Sequence, residues 1–154
     1  MTTDRAAIEE LIYSSCMALD DNDYASYMSM CSPDFTYRLT AFSPEVKQDM
    51  SWLDHDRAEL EDLFATLPKH NSDRNPLTRN AVVYKVKINE EQKKADVISA
   101  LQIFRTALNG GKSELFAVGK YVDEIALDGD EPRLVSRRVK LDTRDLGWGY
   151  HVPF

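Results

Sequence analysis

At 154 residues the chain has the length of one domain, and its 43% hydrophobic content is enough for a core, which excludes intrinsic disorder. Its 26 acidic and 19 basic residues give a net charge of -7 and a pI near 4.9, a balance that argues against a nucleic-acid binder and against an anionic membrane surface as partner. The opening stretch MTTDRAAIEE has no apolar segment of the secretory kind, and no run approaches the roughly 20 apolar residues of a membrane span. A cytoplasmic protein with reduced Cys16 and Cys31 is expected, with a disulfide between them as the less favoured alternative.

Ile8, Leu11, Ile12, Ser15 and Leu19 form one helical stripe, with Asp4 as its N-cap. DDND at 20–23 breaks that helix and caps a second. There Tyr24, Tyr27, Met28 and Cys31 recur at helical spacing, so Cys31 reads as a small buried hydrophobe. CSPD stops this helix. In DFTYRLT, Phe35, Tyr37 and Leu39 alternate with Thr36 and Arg38, which predicts a half-buried strand. A loop around Ser43 and Pro44 leads to a helix over about 56–67, with Leu60, Leu63, Phe64 and Leu67 on one face and Pro68 as its stop. KHNSDRNP, 69–76, reads as a loop.

From there the pattern is β. Val82, Tyr84, Val86 and Ile88 alternate with Val83, Lys85 and Lys87. A turn at NEEQKK precedes a strand over 96–108, and NGG at 109–111 is a hairpin signal before a strand over 113–127. DGDEP turns into the last strand, 133–142. Helices gathered first and a long meander after them predict an α+β fold: one cone-like domain, 1–154, whose curved antiparallel sheet packs against N-terminal helices.

Motifs that carry chemistry are few. A zinc or Rieske centre needs paired Cys and His at short spacing, whereas Cys16 and Cys31 stand far apart and His55, His70 and His151 are scattered. Asp54-His55-Asp56 is a local carboxylate–histidine cluster, but consecutive residues at a helix start point in different directions, so an N-cap region is the preferred reading over an iron site. There is no G-x-S-x-G, P-loop or G-x-G-x-x-G. No metal, cofactor or catalytic residue is expected in the chain. The alternative is a stand-alone dehydratase or isomerase whose cone holds an acid–base pocket, with Tyr13, Asp20, Asp34, Tyr37 and His70 as its members. Against it, Asp20 and Asp34 fall at cap and turn positions, and the tyrosines read as core aromatics.

The most informative stretch is LDTRDLGWGYHVPF, 141–154. It is apolar or aromatic at Leu146, Trp148, Tyr150, Val152, Pro153 and Phe154, where soluble chains usually carry polar, frayed residues. Arg133, Arg137, Arg138, Lys140 and Arg144 bunch before and within it, with Arg137 and Arg138 on opposite faces of the last strand. Arginine beside apolar surface is an interface composition, and a solvated strand face is the other reading. Residues 143–154 are therefore expected to be an interface tail, with Arg138, Arg144, Asp145, Trp148, Tyr150 and Phe154 as subunit contacts. Removing 146–154 should then weaken assembly more than folding.

LVSRRVKLDTRDLGWGYHVPF resembles the C-terminus of the small (beta) subunits of Rieske-type ring-hydroxylating oxygenases, which close with a basic strand, an L-D-T-R-like step and a Gly-containing tail. ALQIFRTALNGGKSELFAVGKYVDEIA resembles their paired long strands, and ALDDNDYASYMSMCSPDFTY is similar to the early segment of the nuclear-transport-factor-like cone superfamily. The middle, MSWLDHDRAELEDLFATLPKHNSDRNPLTRNAVV, is similar to the branch acting on a small alkanesulfonate such as methanesulfonate, and Asp145, Trp148 and Tyr150 depart from the commoner pattern. The resemblance implies a cystatin-like α+β barrel and a non-catalytic structural subunit of an NADH-dependent monooxygenase or dioxygenase hydroxylase. Its substrate would be an aromatic compound or a small alkanesulfonate. It also implies a large (alpha) subunit carrying a Rieske 2Fe-2S cluster and mononuclear iron, with the small subunits forming a trimer within a three-plus-three hexamer.

Overall fold

The computed structural model describes residues 5–70, 74–146 and 153–154, the side chains of 68–70 excepted. Helix α1 (Arg5–Asp20) buries Ile8, Leu11, Ile12, Ser15 and Leu19, the stripe that the spacing predicts, and also Cys16 and Ala18; the expected cap, Asp4, lies outside the described residues. Asn22 takes a left-handed φ of 55°, which turns the chain into a second helix, α2 (Tyr24–Ser29). Asp23 caps it by accepting a hydrogen bond from the Ser26 N–H at 3.1 Å. This helix ends earlier than its periodicity predicts. Cys31 opens strand β1 (Cys31–Ser43) and is still buried.

Strand β2 (Gln48–Asp56) replaces an expected loop. QDMSWLDHD shows no alternation because it forms an edge strand, exposed for much of its length, and a register shift opposite Leu39 and Thr40 interrupts its phase. Asp56 caps helix α3 (Arg57–His70) through a reciprocal pair: its carboxylate accepts from the Glu59 N–H at 2.9 Å, and the Glu59 carboxylate accepts from the Asp56 N–H at 3.1 Å. The helix runs past Pro68 instead of stopping there. A proline this close to the helix end forfeits one backbone bond without forcing a stop.

Four more strands follow: β3 (Leu77–Asn89), β4 (Lys94–Thr106), β5 (Ser113–Ala126) and β6 (Arg133–Leu141). Together the six make one sheet in the order β2-β1-β6-β5-β4-β3. The α+β class and the β3–β6 meander agree with the sequence reading, but the sheet is not wholly antiparallel. β1 and β6 run parallel, a pairing that needs a long connection, which β2, α3 and the meander supply. A second departure lies in β3. A register shift between Val83 and Lys85 turns Val82 and Tyr84 to solvent while Val83, Val86 and Ile88 pack inward, so the expected four-residue face is split.

The core lies between the sheet's inner face and the helices. It joins Ile8, Ile12, Leu19, Tyr27, Phe35, Leu60 and Phe64 to Leu101, Ile103, Ile125 and Val139. Strands β5 and β6 approach so closely at Gly119 that a Cβ there would lie 2.3 Å from the Lys140 carbonyl oxygen. The last core member is Phe154, only 1% exposed. Burying that ring contributes about 1.5–3 kcal/mol. The surface anchor that the sequence predicts at Phe154 is therefore not one: the backbone turns position 154 into the chain's own interior.

Candidate functional site

Register brings a strip of chemistry together across the inner face. Val97, Asp123, Arg137 and Tyr37 are successive neighbours on β4, β5, β6 and β1. Arg137 Nε and Nη2 donate to the two Asp123 carboxylate oxygens at 2.9 and 3.1 Å, and both side chains are fully buried. The guanidinium carbon lies 3.9 Å from the centroid of the Tyr121 ring. Burial opposes the charge on Arg137, but the Asp123 carboxylate more than offsets it and holds the guanidinium's proton more tightly than usual. Burial pushes the Asp123 carboxyl up, against the pull of Arg137, and the pair is forked and fully buried. Burial also pushes the Tyr27 and Tyr121 hydroxyls well above their ordinary range.

Beside this strip the end of the tail is held by three side chains. The Phe154 N–H donates to Tyr37 Oη at 2.7 Å. Tyr121 Oη donates to the Phe154 backbone oxygen at 2.6 Å. Arg79 Nη2 donates to the Pro153 carbonyl at 3.0 Å, while its Nη1 donates to Asp20 at 2.9 Å. The Phe154 ring meets Phe116 edge-on at 6.1 Å. Burial pushes the Asp20 carboxyl up, against the pull of Arg79.

The five residues expected in an acid–base pocket do not converge. Asp34 is exposed on β1. Tyr13 is 38% exposed, and its hydroxyl accepts the Val83 N–H at 3.2 Å. Asp20 is committed to Arg79 and Tyr37 to Phe154. The His70 side chain lies outside the described residues. Among the described residues no group of three His, Cys, Asp or Glu is placed to hold a metal ion, and Asp56 serves as the α3 cap. Both cysteines are free and buried. A separate groove of about 520 Å³ lies between α1, α2 and the β5–β6 turn, lined by Glu10, Leu11, Met30, Asp130, Glu131 and Arg133 among others. No residue of the buried strip lines it.

Of the expected interface residues, Arg138 projects from the outer face of β6 and pairs with Asp49, and Arg144 pairs with Glu45. Asp145 is exposed. Trp148 and Tyr150 lie outside the described residues. Asp123, Arg137, Tyr121 and Arg79 were missed as a set. The signal was present: in Tyr121-Val-Asp123-Glu-Ile125 and in Arg137-Arg-Val139-Lys-Leu141 a charge occupies the inward phase of each strand.

A family model described as ring hydroxylating beta subunit matches residues 15–147. The beta subunit of the methanesulfonate monooxygenase hydroxylase of Methylosulfonomonas methylovora is 36% identical to this chain, over 96% of this chain and 85% of its own length. The beta subunit of 2-aminobenzenesulfonate 2,3-dioxygenase from an Alcaligenes species is 33% identical, over 97% of this chain and 99% of its own. Among solved structures, the beta subunit of the benzoate 1,2-dioxygenase of Burkholderia mallei superposes with a TM-score of 0.71 at 17% identity, covering 92% of both chains. At that identity the likeness speaks for the fold.

Proposed function

The chain belongs to the ring hydroxylating beta subunit family, and from that premise we propose that it is an accessory, non-catalytic subunit of a cytoplasmic oxygenase hydroxylase. It braces large (alpha) subunits that hold the Rieske 2Fe-2S cluster and the mononuclear iron. In this reading the small subunits self-associate as a trimer within a three-plus-three hexamer. One observation carries the reading. Phe154 is buried in the core, and the buried Tyr37, Tyr121 and Arg79 bond to that end of the chain instead of converging as an acid–base pocket. The outside is correspondingly apolar in places: Val82, Tyr84, Ile98, Leu108, Leu115 and Val122 are exposed.

Arg138, Arg144 and Asp145, with Trp148 and Tyr150, face a partner subunit in this reading, and Phe154 is withdrawn from that set. Truncation of 146–154 is no longer a clean assembly test, because it also removes a core residue. The two sequence relatives are both named for sulfonates, which favours an organosulfonate as the substrate of the complete enzyme.

The test is co-expression with the large subunit, followed by light scattering and iron analysis. The expected result is a three-plus-three complex in which iron follows the large subunit, and a purified small subunit without stoichiometric iron. A chain that stays monomeric with and without the partner refutes the reading.

A further inference from the structure

The last two positions are held in the way a protein holds a ligand. Each polar backbone group described there meets a side chain from a different element. Arg79 of β3 takes the Pro153 carbonyl, Tyr37 of β1 takes the Phe154 N–H, and Tyr121 of β5 takes the Phe154 oxygen. Tyr37 and Tyr121 are 0% exposed, and the Arg79 side chain is 1% exposed. The ring sits among apolar side chains, edge-on to Phe116. Arg79 Nε is buried and has no hydrogen-bond partner among the described residues, so the guanidinium has donor capacity that the tail leaves unused.

We propose that the buried position bounded by Tyr37, Arg79 and Tyr121 is a recognition site for an N-acylated aromatic unit, namely an acyl carbonyl, an N–H, a second carbonyl and one six-membered ring, and that Pro153 and Phe154 occupy it in cis. The three polar side chains read the acyl-amide outline and the apolar wall reads the ring. Arg79 is fixed independently of the occupant by Asp20, which also accepts the Arg79 backbone N–H at 3.0 Å. The donor is therefore pre-placed when the tail is absent. This inference does not depend on the subunit reading.

The probe is N-acetyl-prolyl-phenylalaninamide, with N-acetyl-prolyl-alaninamide as control, titrated calorimetrically into the full chain and into a variant lacking residues 153 and 154. The variant is expected to bind the phenylalanine compound and gain thermal stability, to bind the alanine compound at least about tenfold more weakly, and the full chain to bind neither. Tyr121→Phe in the shortened chain should weaken binding by about fivefold through loss of one donor. If the shortened chain is unfolded alone, the same titration is followed by circular dichroism, and restoration by the phenylalanine compound alone supports the site. A shortened chain that neither binds nor is restored overturns the proposal. Equal response to both compounds, or undiminished binding to the full chain, overturns it too.

Discussion

Arg137 and Asp123 face each other across β6 and β5, joined by two hydrogen bonds and both fully buried. Removing one partner strands a charge in a dry core. Asp123→Ala should therefore cost about 3–5 kcal/mol in urea unfolding. The double variant Asp123→Leu with Arg137→Met should recover most of that loss. A single variant of near wild-type stability would show that the pair is not the core element described.

The thiols give a pH-dependent prediction. Burial pushes the Cys31 thiol from 9.0 up to about 12, with Arg137 pulling the other way, and Cys16 is raised by the same cause. A raised folded-state pKa favours the protonated form of the folded chain. Its contribution is complete below 9.0 and is lost as pH climbs towards about 12. Unfolding free energy should fall across that window, with at most about 4 kcal/mol of the fall due to Cys31. Cys31→Ala should flatten the slope, and in mildly alkaline buffer neither thiol of the folded wild type should react with a thiol reagent until denaturant is added.

Glu45 titrates in the opposite sense. The Arg144 guanidinium beside it holds its carboxyl at about 2, below the usual 4.5. Its contribution is present above 4.5 and disappears as pH falls towards about 2. The difference in melting temperature between wild type and Glu45→Gln should accordingly be largest at neutral pH and vanish in acid. High salt should shrink it, because both groups are exposed. A difference that persists unchanged in acid would assign it to something other than this pair.

Gly119 tests the sheet geometry. A methyl group there would strike the Lys140 carbonyl and the Leu141 Cα, both backbone atoms that cannot swing aside. Gly119→Ala should destabilise by about 1–3 kcal/mol through separation of β5 from β6. Chemical denaturation measures it, and a neutral outcome would mean that the strands are farther apart than described.

The sequence carried the fold class because α1, β4 and β5 keep one phase over many residues, as Ile8-Leu11-Ile12 and Ala95-Val97-Ser99-Leu101 show. β2 was illegible because an edge strand exposes most of its side chains and the bulge opposite Leu39 breaks its period. The phase of β3 was misread because a register shift leaves no mark in residue type. Phe154 reads as a surface anchor in the sequence for a related reason. An apolar end looks the same whether it meets another chain or its own core, and only the positions of Tyr37, Arg79 and Tyr121 distinguish the two.

The bond between Phe154 and Tyr37 spans 117 positions, and β1 finds its parallel neighbour only when β6 arrives. A ribosome releases a chain from its N-terminal side, so β1 emerges with one flank open and stays so through the making of α3, β3, β4 and β5. The interior closes only after position 154 has left the exit tunnel. A chain stalled before β6 emerges would therefore display β1 with an unpaired strand edge rather than a partly finished cone.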